Sequence, residues 1–287
     1  MFVWLVGLII TFILAAAIKE LRRKNIAGVV AAKIAFENRQ KELINANEEL
    51  RITELKWSLA FDCFTAVDIE TTGLARAKSR IIQIAIVTFI GGRVARVWTT
   101  YLNPGVGIPE NATKVNNITN AMVASAPVFG EIAHDIRLRL DSSPLVAHNL
   151  KFDTDFLIEE FARQKITWLP LYGHCTMRQT SGAPTPDPPR EERTFYSKRE
   201  RRYVTYRVRT EQPWLKLTDA MASHGIRAIG PLHDAVNDAI GSGEVFVARG
   251  MAAIKEANGA VIKATEELKF ATDFLNKAHE LRGRWPI

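Results

Sequence analysis

Residues 66–74 read AVDIETTGL, an apolar run interrupted by Asp68 and Glu70. The apolar neighbours imply a strand. Side chains alternate across a strand, so both acids point to one face, a few ångströms apart. Two carboxylates that close repel and raise each other's pKa unless a positive group lies between them. A metal ion meets that requirement. The plainer alternative is a pair of solvated acids at a turn, with Thr71, Thr72 and Gly73 ending the strand.

The rest of the chain gives the strand a setting. RIIQIAIVTFIGGRVARVWTTYLNPG (80–105) predicts two strands joined by a Gly-Gly hairpin. A helix is expected between 119 and 140, with Thr119 as its N-cap. SPLVAHN gives a short buried strand ending at His148 and Asn149, and the helical pattern after it puts Phe152, Phe156, Leu157 and Phe161 on one side. WLKLTDAMASHGI and PLHDAVNDAIGSGEVFVARGMAA predict two more helices. Strands first, then helices alternating with strands, argue an α/β layer fold with helices covering a mixed sheet.

Residues 180–213 break this pattern. Their Pro-rich front half reads as a loop, and RRYVTYRVR alternates as a hairpin would. Arg199, Arg201, Arg202, Arg207 and Arg209 lie among Phe195, Tyr196, Tyr203 and Tyr206, the ingredients of a grip on single-stranded nucleic acid; a merely solvated hairpin is the alternative. The net charge of +7 is compatible with a polyanionic partner without requiring one.

Further acids sit where they can complete a metal site. Asp153 opens the helix after the AHN strand, and His233 and Asp238 lie five apart in HDAVNDA. That spacing works if His233 stands at the helix entrance and Asp238 one turn inside. Carboxylates from several elements, with no thiolate among them, select Mg²⁺ or Mn²⁺ over zinc. Cys63 and Cys175 have neither zinc-site spacing nor the numbers for a disulfide framework.

The N-terminus opens with eighteen residues free of charge, MFVWLVGLIITFILAAAI, followed by KELRRK. At 1.5 Å per residue this is roughly 27 Å of helix, enough to cross a bilayer core. The charges follow the apolar run, which argues an anchor over a cleaved signal peptide and places the remainder in the cytoplasm, in an inner or plasma membrane. The expected division is an anchor at 1–18 contacting the lipid bilayer, a helical stalk at 19–56, a main domain at 57–250 and a C-terminal helix at 251–287. Val29, Phe36, Leu43 and Leu50 recur every seven residues in the stalk. Ile254, Ala257, Val261, Ala264, Leu268, Ala271, Leu275 and Ala278 form a stripe at the other end.

DIETTGL, AHNLKFDTDFL and HDAVNDA, in this order, resemble the three motifs of the DEDDh 3′–5′ exonucleases, the group that contains the proofreading subunit of bacterial replicative polymerase. The likeness covers roughly residues 60 to 250, the insert excepted. It implies a ribonuclease H-like exonuclease fold, a central mixed β-sheet flanked by helices, here with an N-terminal transmembrane helix and stalk. It also implies two divalent metal ions and hydrolysis at 3′ ends of single-stranded or frayed DNA or RNA. By the same likeness Asp68 bridges the ions, Glu70 and Asp238 serve the ion of the attacking water, Asp153 serves the leaving-group ion, and His233 takes the proton. Thr71, Leu74, Asn149 and Phe152 are the implied substrate contacts. Gln83, where the family often has Glu, and Asn116-Asn117, in place of a common His-Gly, depart from the pattern and bear on substrate preference. The competing function is a membrane tether for nucleic acid or a partner, on the same fold with the chemistry lost.

Overall fold

The computed structural model describes residues 2–170, 172–177, 190–197, 202–209, 215–231 and 233–283, with side chains described within these ranges except at 2–13, 21, 22, 25, 190–197, 202–209 and 281–283. The chain divides into two compact units, Lys56–Ala253 and the paired segments Met1–Leu55 and Ile254–Ile287.

Helix α1 (Phe2–Asp62) delivers the chain to strand β1 (Cys63–Thr71). Strands β2 (Ile81–Ile90) and β3 (Arg93–Tyr101) follow, turning at Gly91 and Gly92. Both glycines have positive φ, 58° and 74°, the backbone that a two-residue hairpin needs and that Gly adopts without a Cβ clash. Three helices come next: α2 (Glu110–Asn116), α3 (Asn120–Val123) and α4 (Phe129–Leu140). The single helix expected over 119–140 is thus two. Thr119 does cap the first, its hydroxyl accepting from the Met122 N–H at 3.4 Å. Pro127 separates them, because a proline pushes the preceding residue out of helical conformation and offers no N–H.

Strand β4 (Leu145–Ala147), helix α5 (Leu150–Arg163) and strand β5 (Gly173–Cys175) complete a five-stranded sheet of order β3-β2-β1-β4-β5. β1 is central, antiparallel to β2 and parallel to β4. A register shift between Glu70 and Thr71 bends its end, as bulges beside functional sites do. One sheet face buries Val67, Ile69, Ile84 and Ile86 against Phe129 and Ile136 of α4 and Phe156, Leu157 and Phe161 of α5. Strands β6 (Arg190–Ser197) and β7 (Arg202–Arg209) form a separate antiparallel hairpin. Their side chains lie outside the described residues, and the expected nucleic-acid grip lies there too.

Helix α6 (Leu217–Ser223) precedes α7 (Ala235–Gly283), one helix where two were expected. Within the Lys56–Ala253 unit an aromatic cluster joins the end of α1 to α7 and the sheet. Phe246 lies 5.3 Å from Trp57, 6.0 Å from Phe61 and 4.9 Å from Phe64, and Phe64 stacks on Phe89 at 4.6 Å.

In the other unit the two helices bury matching stripes. Val29 and Ala32 of α1 and Ala264 and Ala271 of α7 are buried, and Arg39 pairs with Glu267 at 2.8 Å. Alanine at 257, 264, 271 and 278 permits a close approach of the helix backbones.

Among the described residues no helix is long and apolar enough to cross a membrane. This corrects the expected transmembrane anchor at 1–18, and with it the bilayer contact and the placement of a cytoplasmic domain behind an inner or plasma membrane. α1 does not end with the apolar run: it continues as one helix through Lys19, Glu20, Arg23 and Lys24, so any described span soon meets charge. The side chains of 1–13 lie outside the described residues.

Candidate active site

The end of β1 carries Asp68 and Glu70 on one face of the central strand. Asp153 enters from the first turn of α5, where it is 3% exposed. The segment before α7 supplies the rest. Asp234 caps the helix, its Oδ1 accepting from the N–H groups of Val236 at 3.1 Å and Asn237 at 3.2 Å. His233 therefore precedes the cap and Asp238 lies in the first turn, where its carboxylate accepts from the His233 backbone N–H at 3.2 Å. His233 has φ 58°, unusual for a residue with a side chain. Ligand atoms of Glu70, His233 and Asp238 all lie within 4.8 Å of one another. The structure thus brings these three together, with Asp68 and Asp153 close enough to act on the same charges.

Electrostatics bind the five into one cluster. Burial pushes the Asp68 carboxyl well above its usual range, with Asp153, Asp238 and Glu70 adding to the rise. Burial and Asp238 lift Glu70 to about 8, against a hydrogen bond from Asn116 that favours its charged form. Asp153 is raised by burial, opposed by backbone hydrogen bonds from itself and Ile69. Asp238 is raised by burial, opposed by His233. What shifts these acids is burial and one another, a charge imbalance that a divalent cation relieves. The donor set is oxygen with one imidazole, which fits Mg²⁺ or Mn²⁺.

The other predicted contacts are placed less uniformly. Thr71 is buried, donating its hydroxyl to the Gly73 carbonyl at 2.8 Å, while its own carbonyl accepts from Asn116 Nδ2 at 3.4 Å. Leu74 is 86% exposed and, with half-buried Phe152, lines a cavity of about 340 Å³ that also involves Arg76, Asp155 and Phe156. Asn149 occupies the N-cap position of α5 but is exposed and makes no capping bond.

Two contributors are absent from the sequence-derived set. Asn116, noted only as a departure from the family pattern, bonds both Glu70 and the Thr71 carbonyl. Asp234, the cap of α7, also adds negative charge to Asp68, Glu70 and Asp238. Its place directly after His233 was the available signal.

A mixed sheet whose central strand ends in carboxylates, with acids from two helices brought close to them, defines an exonuclease-type α/β fold. The chain belongs to the exonuclease family: the family model RNase_T, described as exonuclease, matches residues 65–246. The DNA polymerase III subunit epsilon of Treponema pallidum is 40% identical over 99 residues, 34% of this chain and 46% of that protein. The 3′-5′ exonuclease DinG of Bacillus subtilis is 36% identical over 95 residues, 33% of this chain and 10% of that protein. The chain spans less than half the length of these curated relatives. The solved structure of exonuclease X in complex with 5′ overhanging duplex DNA aligns with a TM-score of 0.43 at 21% identity, covering 66% of this chain and 92% of that one.

Proposed function

We propose that this chain is a metal-dependent 3′–5′ exonuclease that hydrolyses phosphodiester bonds at the 3′ ends of single-stranded or frayed DNA or RNA. The observation that carries the reading is the meeting of Glu70, His233 and Asp238 within 4.8 Å at the end of the strand that bears Asp68. Asp68, Glu70, Asp153 and Asp238 would hold two Mg²⁺ or Mn²⁺ ions, and His233 is the general base. Bound there, the ions would stabilise charge on the entering and leaving oxygens of the phosphodiester. His233 is exposed at the helix entrance, where its imidazole can accept a proton from water approaching the phosphate. Asp238 accepts from the His233 backbone N–H, which ties the base to the helix that bears an acid. Leu74 and Phe152, which line the cavity, would supply apolar contact for the terminal nucleotide, with Thr71 presenting backbone and Asn149 a further contact. Residues 57–250 form the exonuclease domain in this reading, between a helical stalk at 19–56 and a C-terminal segment from 251 onward.

The test is digestion of 5′-labelled and 3′-labelled oligonucleotides, single-stranded DNA, duplex DNA and RNA, by the full chain with Mg²⁺, Mn²⁺ or EDTA. Stepwise shortening from the 3′ end, lost in EDTA, is the expected result. Binding without cleavage in either metal would favour the tether, and shortening from the 5′ end would exclude the stated polarity.

A further inference from the structure

The loop at 72–79 joins β1, with its two acids, to β2, and it carries Leu74 to the rim of the cavity. Its neck is closed by the Thr72 N–H, which donates to the Arg80 carbonyl at 2.9 Å, and by the Arg80 N–H, which donates to the Thr72 hydroxyl at 3.0 Å. Beyond the neck the loop makes one turn of its own, with the Lys78 and Ser79 N–H groups both donating to the Ala75 carbonyl at 2.8 Å. Three of the other carbonyls are satisfied from α5. Arg163 Nη2 donates to the carbonyls of Arg76 at 2.7 Å and Ala77 at 3.2 Å, and Nη1 donates to that of Ser79 at 3.3 Å.

Arg163 is itself aimed. Its Nη1 donates to Glu160 Oε1 at 2.9 Å, and Glu160 is 1% exposed. The same carboxylate accepts from Arg80 through two bonds, 2.7 Å and 3.0 Å, and from the Ile81 N–H at 3.3 Å. A buried carboxylate that accepts four hydrogen bonds is a rigid anchor, and the planar guanidinium is suited to fork between it and backbone oxygens. At the loop's tip Arg76 pairs with Asp155 of α5, which also accepts from Lys151 at 2.7 Å. The helix that brings Asp153 to the site therefore also fixes the wall of the cavity opposite its own Phe152 and Phe156.

We infer that Arg163, held by Glu160, is a positioning residue: it locks the 72–79 loop onto α5 and so sets the shape of the cavity where a nucleic-acid end is gripped. It touches neither the acids nor His233 through any bond described above, so its role is in holding substrate and not in the bond-breaking step. The inference rests on the nuclease reading above for its substrate, but the loop's attachment can be read without any activity.

Arg163→Met keeps the bulk of the side chain and leaves Glu160 paired with Arg80, so the fold retains its buried carboxylate partner. Arg163→Lys keeps the charge beside Glu160 but cannot fork to the loop carbonyls. In full-length protein, limited trypsin digestion followed by mass spectrometry should show faster cutting after Arg76 and Lys78 in both variants, with a melting temperature close to wild type. In steady-state assays the KM for a single-stranded oligonucleotide should rise about tenfold in both with kcat little changed. Hydrolysis of bis(p-nitrophenyl) phosphate, a diester with no base to seat, should stay at the wild-type rate. Unchanged trypsin cutting overturns the clamp whatever the activities are. Full recovery of KM by Arg163→Lys, or an equal loss on both substrates, also overturns it, the first assigning the effect to charge alone and the second to the whole site. A wild-type protein that cleaves neither substrate would refute the nuclease reading and leave the trypsin result to decide the clamp.

Discussion

Replacing Glu70 by Gln should stabilise the metal-free protein at alkaline pH and have no effect near pH 4.5. Burial and Asp238 raise the Glu70 carboxyl from 4.5 to about 8. Well below pH 4.5 folded and unfolded chains both hold the proton, and the group is silent. Between 4.5 and about 8 the folded chain keeps a proton that the unfolded chain has released, so stability falls as pH rises; above that window the loss is complete. The full interval corresponds to a ceiling of about 5 kcal/mol. Partial exposure of the carboxylate brings the expected effect down to about 2 kcal/mol. Gln has the same shape and can still accept from Asn116, but it never ionises. Thermal melts in EDTA should therefore coincide for wild type and Glu70→Gln near pH 4.5 and separate to about 5 °C in the variant's favour by pH 8.5. Mn²⁺ should then raise the wild-type melting temperature more than the variant's, because the ion would neutralise the carboxylate that the variant lacks. A constant offset across pH, or a less stable variant at pH 8.5 in EDTA, would refute the repulsive-cluster account.

Asp68→Ala should abolish Mg²⁺-dependent hydrolysis while circular dichroism and cooperative melting stay intact. His233→Ala should lower kcat by about 10²–10⁴-fold with Mn²⁺ binding retained in calorimetry, the loss typical of a missing general base; unchanged activity across neutral pH would remove the base assignment. Gly243→Ala would place a methyl 2.4 Å from the Phe89 ring and should cost about 1–3 kcal/mol in chemical denaturation. Gly259→Ala, with nothing within 4 Å, should be neutral or stabilising by up to about 1 kcal/mol.

The sheet was legible because β2 is apolar nearly throughout, β1 alternates apolar residues with its acids, and Gly91-Gly92 names the turn from β2 to β3. The length of α7 was not. Two helices were expected, meeting near residue 251, whereas α7 runs unbroken through Gly241, Gly243, Gly250 and Gly259, and at the first three of these larger neighbours press on it. A Cβ would meet Met221 at Gly241, Phe89 at Gly243 and both Phe61 and Trp57 at Gly250. Small residues at these three positions are a record of close packing. At the site, residue types and spacing pointed to Asp68, Glu70, Asp153, His233 and Asp238. Their supporting partners were hidden. Asn116 reaches Glu70 from a seven-residue helix whose sequence, ENATKVN, has too few apolar positions to announce itself. Arg163 reaches the loop carbonyls from more than eighty residues away, and no local period encodes such a pair. The apolar N-terminus suggested a span, and no helix among the described residues is long and apolar enough to be one.

The left-handed backbone at His233, φ 58°, has a bearing on how this protein changes over generations. A side chain with a Cβ held there costs on the order of 1 kcal/mol, which Gly would recover and Asn or Asp would partly recover. Mutation screened for stability alone therefore has a ready exit at this codon, and each such exit deletes the imidazole. A lineage that had stopped cutting nucleic acid would drift through it early, well before the buried acids, whose loss leaves space to fill. If His233 is the base proposed above, histidine at this position is a sorting mark: copies with Gly, Asn or Asp there are the ones to assay first for binding without cleavage.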